Sequence, residues 1–259
     1  MRTVLTITDL TRMSGRRVCV AGVTSDGACI RPLPQPGDLE EPWLYQGDRA
    51  VIRPFAVVEM DVTCRDSRAK PPHTEDRIVA RQYRHVDDLD TVERRDLLCG
   101  LSDDGAVEEI FGAHVHGDPE REGVWVSAGS GTRSLGTVRA QHVSGVTYGP
   151  KENGGNKYRL SFQDKKQDYF DLSVTDLAFR NYLDAKARAG AAPITAAKDL
   201  GKTLFGAADV YLRVGLARRW DKYPDRCYLQ ITGVYSFPDY LDGRCFADLS
   251  KRSEWEVPF

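Results

Sequence analysis

The sequence contains no run of 18 or more apolar residues, so no membrane-spanning helix is expected. Its six cysteines (Cys19, Cys29, Cys64, Cys99, Cys227 and Cys245) include no Cys-x-x-Cys pair. That argues against a redox motif or a paired zinc knuckle, and in a chain of 259 residues a disulfide framework is not the natural reading. Several cysteines lie in apolar, strand-like runs such as "RRVCVAGV" and "RCYLQITGV", which suits small buried thiols in a reducing cytoplasm. The first residues, "MRTVLTITDLTRM", lack the long apolar stretch and small-residue cleavage site of a signal peptide and are read as a first strand, with the chain expected to be cytoplasmic. Gly-x-Ser-x-Gly, His-Glu-x-x-His and Gly-x-Gly-x-x-Gly are all missing, as is a carboxylate cluster of nuclease-like spacing. Active sites assemble in space, so this excludes no enzyme, but it puts no reaction type forward and no cofactor is expected.

The chain also lacks a strong overall charge, at net −2. The distribution is uneven. Residues 1–81 are near balance, residues 82–130 carry 4 Lys/Arg against 12 Asp/Glu, and residues 131–259 carry 20 against 15. One acidic block therefore masks a mildly basic remainder that can present a local positive face.

Residues 1–81 read as strands and turns. "VLTIT" alternates, and "RRVCVAGV" leads through Asp26-Gly27 into "ACIRPL" as a hairpin. "RAVIRPFAVVEMDVTC" is a strand region interrupted at Pro54. Residues 82–122 are read as an acidic, helical connector, with helices stopped at Gly100 and Gly112. Strands resume at "GVWVSAG", and "NGGNKYRLSFQD" with "DYFDLSV" gives another hairpin. "VTDLAFRNYLDAKARAG" predicts a helix over 176–189, with Thr175 as N-cap, Asp176 at the positive end and Gly190 as the stop. "AAKDLGKTLFGA" predicts a second helix before "DVYLRVGLARRW" and "RCYLQITGVYSF". Many short strands between turn signals suggest a mainly β protein of barrels or sandwiches with helical insertions, and two β-rich halves, 1–81 and 123–250, suggest two small barrels followed by a tail at 251–259.

The phrases "LTITDLTRMSGRRVCVAGVTSDGACIRPL", "PPHTEDR", "GTRSLGTV", "LSVTDLAFRNYL" and "YLRVGLARRW" together resemble the dual OB-fold domain family of bacteria. The resemblance runs over roughly residues 1–245. It implies two OB-like barrels and a nucleic-acid-binding role, with repair or defence against foreign DNA as the context; it supplies no catalytic residues.

An OB barrel binds single-stranded nucleic acid by stacking bases on aromatic rings while cations follow the phosphates. Tyr211 and Arg213 share one face of a strand, as do Tyr228, Gln230 and Thr232, and Tyr169, Asp171 and Ser173. If those strands adjoin, they form an aromatic and basic face, extended by Arg180, Arg218, Arg219 and Trp220. Arg12, Arg31 and Arg53 end strand-like runs, the last two before prolines, where barrels meet ligands. The same residues also suit an ordinary solvated sheet. Arg133 sits in "GSGTRSLG", whose N–H groups can hold a phosphate, although a plain hairpin loop fits as well. "HTED" places His73 beside Glu75 and Asp76, an acid/base group or a capped turn. "HVH" puts His114 and His116 on one side of a strand; with Cys99 they fall one ligand short of a zinc site, so no metal is expected. The expected function is an accessory protein binding single-stranded DNA or RNA. The alternatives are a sensor closing the crevice between its barrels on a nucleotide, an enzyme on nucleotides or nucleic acid built on His73, Glu75 and Asp76, or an acidic segment 82–122 that docks a basic protein partner.

Overall fold

In the first strand Leu5 and Ile7 are buried while Val4 and Thr6 are not, the period of a sheet with one face inside. From Ile7 to Thr11 every residue is buried, because the strand shifts register at Ile7/Asp9 against its neighbour and both faces are then covered. Such a bulge re-aims side chains, and here it turns Asp9 away from the barrel interior. The computed structural model describes residues 2–35, 37–65, 69–102, 106–118, 123–152 and 154–250.

Strands β1 (Arg2–Arg12), β2 (Val18–Val23) and β3 (Cys29–Pro34) form a meander, with the expected Asp26-Gly27 turn and Gly27 at φ +82°. A 3-10 turn (Glu41–Leu44) and a two-rung hairpin, β4 (Tyr45–Gln46) and β5 (Arg49–Ala50), precede β6 (Ala56–Arg65) and β7 (Asp76–Asp88). The sheet closes in the order β1-β2-β3-β7-β6, with β3 and β7 parallel and the other pairs antiparallel. Its core holds Leu5, Ile7, Val20, Leu44, Ile52, Val58 and Met60.

β7 runs on to Asp88, so the first barrel extends past residue 81. The stretch 82–122 is thus not one helical connector. It contains the end of β7, α1 (Thr91–Leu101), the single turn α2 (Val107–Ile110) and β8 (Val115–Asp118), which pairs into the second sheet. Much of its negative charge is used internally. Asp88 binds Arg53, Asp90 and Glu93 close a capping box at α1, and Glu108 and Glu109 approach Lys166.

The second unit comprises β9 (Gly123–Ser127), β10 (Leu135–Ala140), β11 (His142–Pro150), β12 (Asn156–Gln163), β13 (Asp168–Ser173), α3 (Leu177–Arg188), α4 (Pro193–Phe205), β14 (Asp209–Leu216) and β15 (Arg226–Phe237). One sheet has the order β10-β14-β15-β9-β8 and another β11-β12-β13; Val174 bridges Ile231 in parallel and joins them. Around a shared core of Phe162, Tyr169, Phe179, Leu212 and Ile231 they make a half-barrel. The molecule is therefore mostly β, with two OB-like barrels. Asp176, not Thr175, caps α3: its carboxylate accepts from the N–H groups of Ala178 and Phe179, while the Thr175 hydroxyl donates to the Ile231 carbonyl. After β15 the chain returns to the first barrel, where Phe246 is fully buried in the core. The segment 251–259 lies outside the described residues.

Candidate nucleic-acid interface

β14 is buried at every position from Asp209 to Leu216. Its alternation is real, but the face expected to be open is covered by the first barrel. Tyr211 is 3% exposed and packs with Phe55, Leu98 and Tyr235; Arg213 is 2% exposed. Arg213 Nε lies 2.9 Å from Asp9 Oδ2, its Nη1 donates to Thr137 Oγ1 at 2.9 Å, and Thr232 donates to Asp9 Oδ1 at 2.6 Å. The pair thus ties β14 and β15 to the bulge of β1. Tyr169 is fully buried against Phe162, since β13 turns that residue into the core. These three corrections remove Tyr169, Tyr211 and Arg213 from any solvent-facing surface.

The motif "HTED" faces inward as well. Glu75 accepts from the Ser134 and Leu135 N–H groups and from Ser134 Oγ. The N–H groups of "GTRSLG" do hold an anion, and it is the Glu75 carboxylate. Asp76 is shared by Arg31, at 3.1 Å, and Arg218, at 2.6 Å, while Arg31 also donates to Ser134 Oγ at 2.7 Å. His73 Nε2 meets the Leu216 carbonyl at 3.0 Å; burial, helped by the Arg31 and Arg218 charges, pushes its pKa down to about 4. A neutral histidine with every neighbour matched is a docking contact between barrels. The acid/base expectation for His73, Glu75 and Asp76 is corrected accordingly, as is that of a ligand-facing Arg31, which is 6% exposed.

The other predicted cations are dispersed. Arg12 binds Glu41 at 2.6 Å, Arg53 binds Asp88 through both Nη atoms, Arg133 donates to the Ile110 carbonyl, and Arg180 donates to the Val174 carbonyl beneath the Tyr158 ring. Cys99 is exposed on α1, and among the described residues no three His, Cys, Asp or Glu side chains converge as metal ligands.

Aromatic rings and cations do meet in one place, on the outer face of β8, β9 and β15. Trp125 lies directly across from His116 on one side and from Tyr228 on the other. Its neighbours Val124 and Val126 are buried, so the alternation of "GVWVS" sends the indole outward. The Trp125 ring is nearly parallel to His116 at 6.0 Å, and Tyr228 follows at 6.1 Å. Tyr223 stands 5.9 Å from Tyr228 and Trp220 6.0 Å from Tyr223, both from the loop joining β14 to β15. His114 adds a ring edge-on to His116 at 4.4 Å.

The result is a row of rings at steps of about 6 Å, ending in Trp220, which is 59% exposed. Cations thread it. The Arg226 guanidinium lies 4.2 Å from the centre of the Trp125 ring and 5.1 Å from Tyr223, and Lys222 Nζ lies 5.3 Å from Tyr223 and 5.9 Å from Trp220. Arg219 precedes Trp220 in the chain, whereas the Arg218 guanidinium is held by Asp76 at the seam. Gly117 makes room for it: at φ +118° a Cβ there would sit 2.3 Å from the Gly123 carbonyl oxygen and 2.6 Å from the indole.

Of the predicted residues the row contains Trp220 and Tyr228; Arg219 is next to Trp220 in the chain, and Arg218 is tied to Asp76 instead. The row also contains Trp125, Tyr223, Lys222, Arg226, His114 and His116, which the sequence reading did not group as binding residues. The alternation Arg226/Tyr228 against Cys227/Leu229 was a usable signal, and so was Trp125 between two valines.

The family model described as dual OB-containing domain matches residues 4–234. No curated protein matches the chain.

Proposed function

The chain belongs to the dual OB-containing domain family, and we propose that it binds single-stranded nucleic acid along the ring row of its second barrel. The carrying observation is the register His116–Trp125–Tyr228 across three strands, continued by Tyr223 and Trp220 and threaded by Arg226 and Lys222. Rings presented in line offer stacking faces to successive bases regardless of sequence, and cations between them sit where a phosphate backbone passes. Duplex DNA keeps its bases stacked on each other, so this surface favours unpaired strands.

The test is fluorescence anisotropy of labelled single-stranded DNA, single-stranded RNA and duplex DNA over a salt series. Affinity for single strands should fall as salt rises, because phosphate contacts release counterions. Trp125→Ala and Tyr228→Ala should each weaken binding by about 1–3 kcal/mol, and Arg226→Ala should weaken it while lowering the salt slope. Salt-sensitive binding untouched by all three changes would place the site elsewhere on the molecule. No binding to any probe at low salt would remove the reading altogether.

A further inference from the structure

We propose that the crevice between the two barrels is a second binding site, which takes a free nucleoside phosphate. It is a half-open cavity of about 660 Å³, inside the size range of small-ligand pockets, and it lies at a domain junction where such pockets concentrate. Its walls come from β5 and the turn before β6, from α1, from the start of α3, from the end of β15 and from the returning segment 239–250. Walls from so many separate segments suit a discrete molecule.

Four arginines reach it from three parts of the chain: Arg49 and Arg53, Arg94, and Arg244. The carboxylates in the wall are largely committed. Asp176 accepts three backbone N–H groups, from Ala178, Phe179 and Val234; Asp239 accepts from Leu241 and Gly243, and Asp248 from Cys245. Asp48 is the fourth carboxylate of the lining; Asp88, outside it, faces Arg53, Arg49 and His85 at 2.5, 3.5 and 3.2 Å. Arg49 and Arg244 have side chains 62% and 44% exposed and ion-pair contacts of 3.5 and 4.0 Å; Arg244 Nε donates to the Leu241 carbonyl at 2.9 Å, which leaves its Nη groups, like those of Arg49, able to turn onto a phosphate.

The apolar part of the wall is aromatic, and it is held under strain. Phe55 has φ +68°, a region that a bulky residue adopts only when its surroundings enforce it. Here the Phe55 N–H donates to the Ile7 carbonyl at 2.7 Å and its own carbonyl accepts from Leu89 at 3.0 Å. These bonds fix the ring between Tyr235, 4.7 Å away, and the Arg94 guanidinium, 5.2 Å away. Backbone strain of this kind collects at ligand sites. Phe55 and Tyr235 are themselves buried and form the floor, while Phe237, half-buried at the end of β15, lines the same cavity; arginines beside such a ring recognise a molecule that joins a flat heterocycle to an anionic group, which is a nucleotide. The inference stands apart from the ring row on the second barrel, and its residues are different.

Isothermal titration of the full chain with ATP, GTP, AMP and GMP, with adenosine and inorganic phosphate in parallel, tests it. The expected result is saturable binding of a nucleotide, one per chain, with a matching rise in melting temperature. Adenosine and phosphate alone should bind at least tenfold more weakly. The double variant Arg49→Ala/Arg244→Ala, both exposed and thus compatible with folding, should lose at least tenfold in affinity with its ligand-free melting temperature kept. Trp125→Ala should bind the nucleotide like the parent protein. No saturable binding at millimolar nucleotide overturns the proposal. Binding that survives the arginine double variant overturns it too, and if Trp125→Ala abolishes that binding the nucleotide belongs to the ring row instead.

Discussion

A guanidinium sealed from water is tolerated only when its charge and its donors are matched, because an unpaired buried ion is among the costliest features a fold can carry. Arg213 meets that condition with Asp9, Thr137 and the Cys29 sulfur, and Asp9 completes its own set with Thr8 and Thr232. Removing either partner strands the other. Arg213→Ala is therefore expected to cost about 3–5 kcal/mol of folding stability, read as a lower denaturant midpoint. At a temperature where the variant remains folded, its affinity for single-stranded nucleic acid should stay near the parent value. A variant with unchanged stability and lost binding would return Arg213 to the role its sequence position first suggested.

At the scale of elements, α3 shows how one side chain sets both a helix and a sheet. Asp176 caps the helix through Oδ1 and accepts the Val234 N–H through Oδ2 at 2.8 Å, so it fixes where α3 meets β15. Asp176→Ala should lose the cap, worth about 0.5–2 kcal/mol, and leave the buried Val234 N–H unmatched, at about 1–3 kcal/mol more. Hydrogen exchange should localise the loss to the first turn of α3 and to β15 near Val234; a uniform loss of protection across both barrels would argue against this local account. The elements themselves were largely legible in the sequence. The Asp26-Gly27 hairpin, the β12–β13 hairpin and both long helices follow from period and turn chemistry that act within a few residues. The exposure of a strand face was not legible. "DVYLRVGL" has the alternation of a half-buried strand, and only the packing of a second barrel over it decides that both faces are dry. The ring row escaped notice for a related reason. Its members come from "HVH", "GVWVS" and "RRWDKYPDRCYL", and cross-strand register, which sequence spacing does not give, brings them together.

For the whole molecule, the phrases that carry the family resemblance converge on the seam between the barrels. Asp9 from "LTITDL" meets Arg213 from "YLRVGLARRW", Arg31 from "CIRPL" and Arg218 meet Asp76 from "HTED", and Glu75 meets the backbone of "GTRSLG". What they specify is therefore a fixed mating of two barrels, and that mating forms the crevice. His73 gives the seam a pH signature. Its ordinary value is 6.5, and burial with two nearby arginines brings it to about 4 in the folded chain. Between those values the unfolded chain takes up a proton that the folded chain refuses, so the stability His73 contributes is complete above 6.5 and is lost as pH falls toward 4. His73→Gln can still donate to the Leu216 carbonyl but cannot titrate. Urea unfolding of both proteins at pH 8, 6, 5 and 4.5 should therefore give a difference that is constant above about pH 7 and moves steadily in favour of the glutamine variant below it, with the carboxylates cancelling because both proteins share them. Parallel profiles down to pH 4.5 would mean that His73 is not sealed in the seam, and that the barrels separate enough in solution to hydrate it.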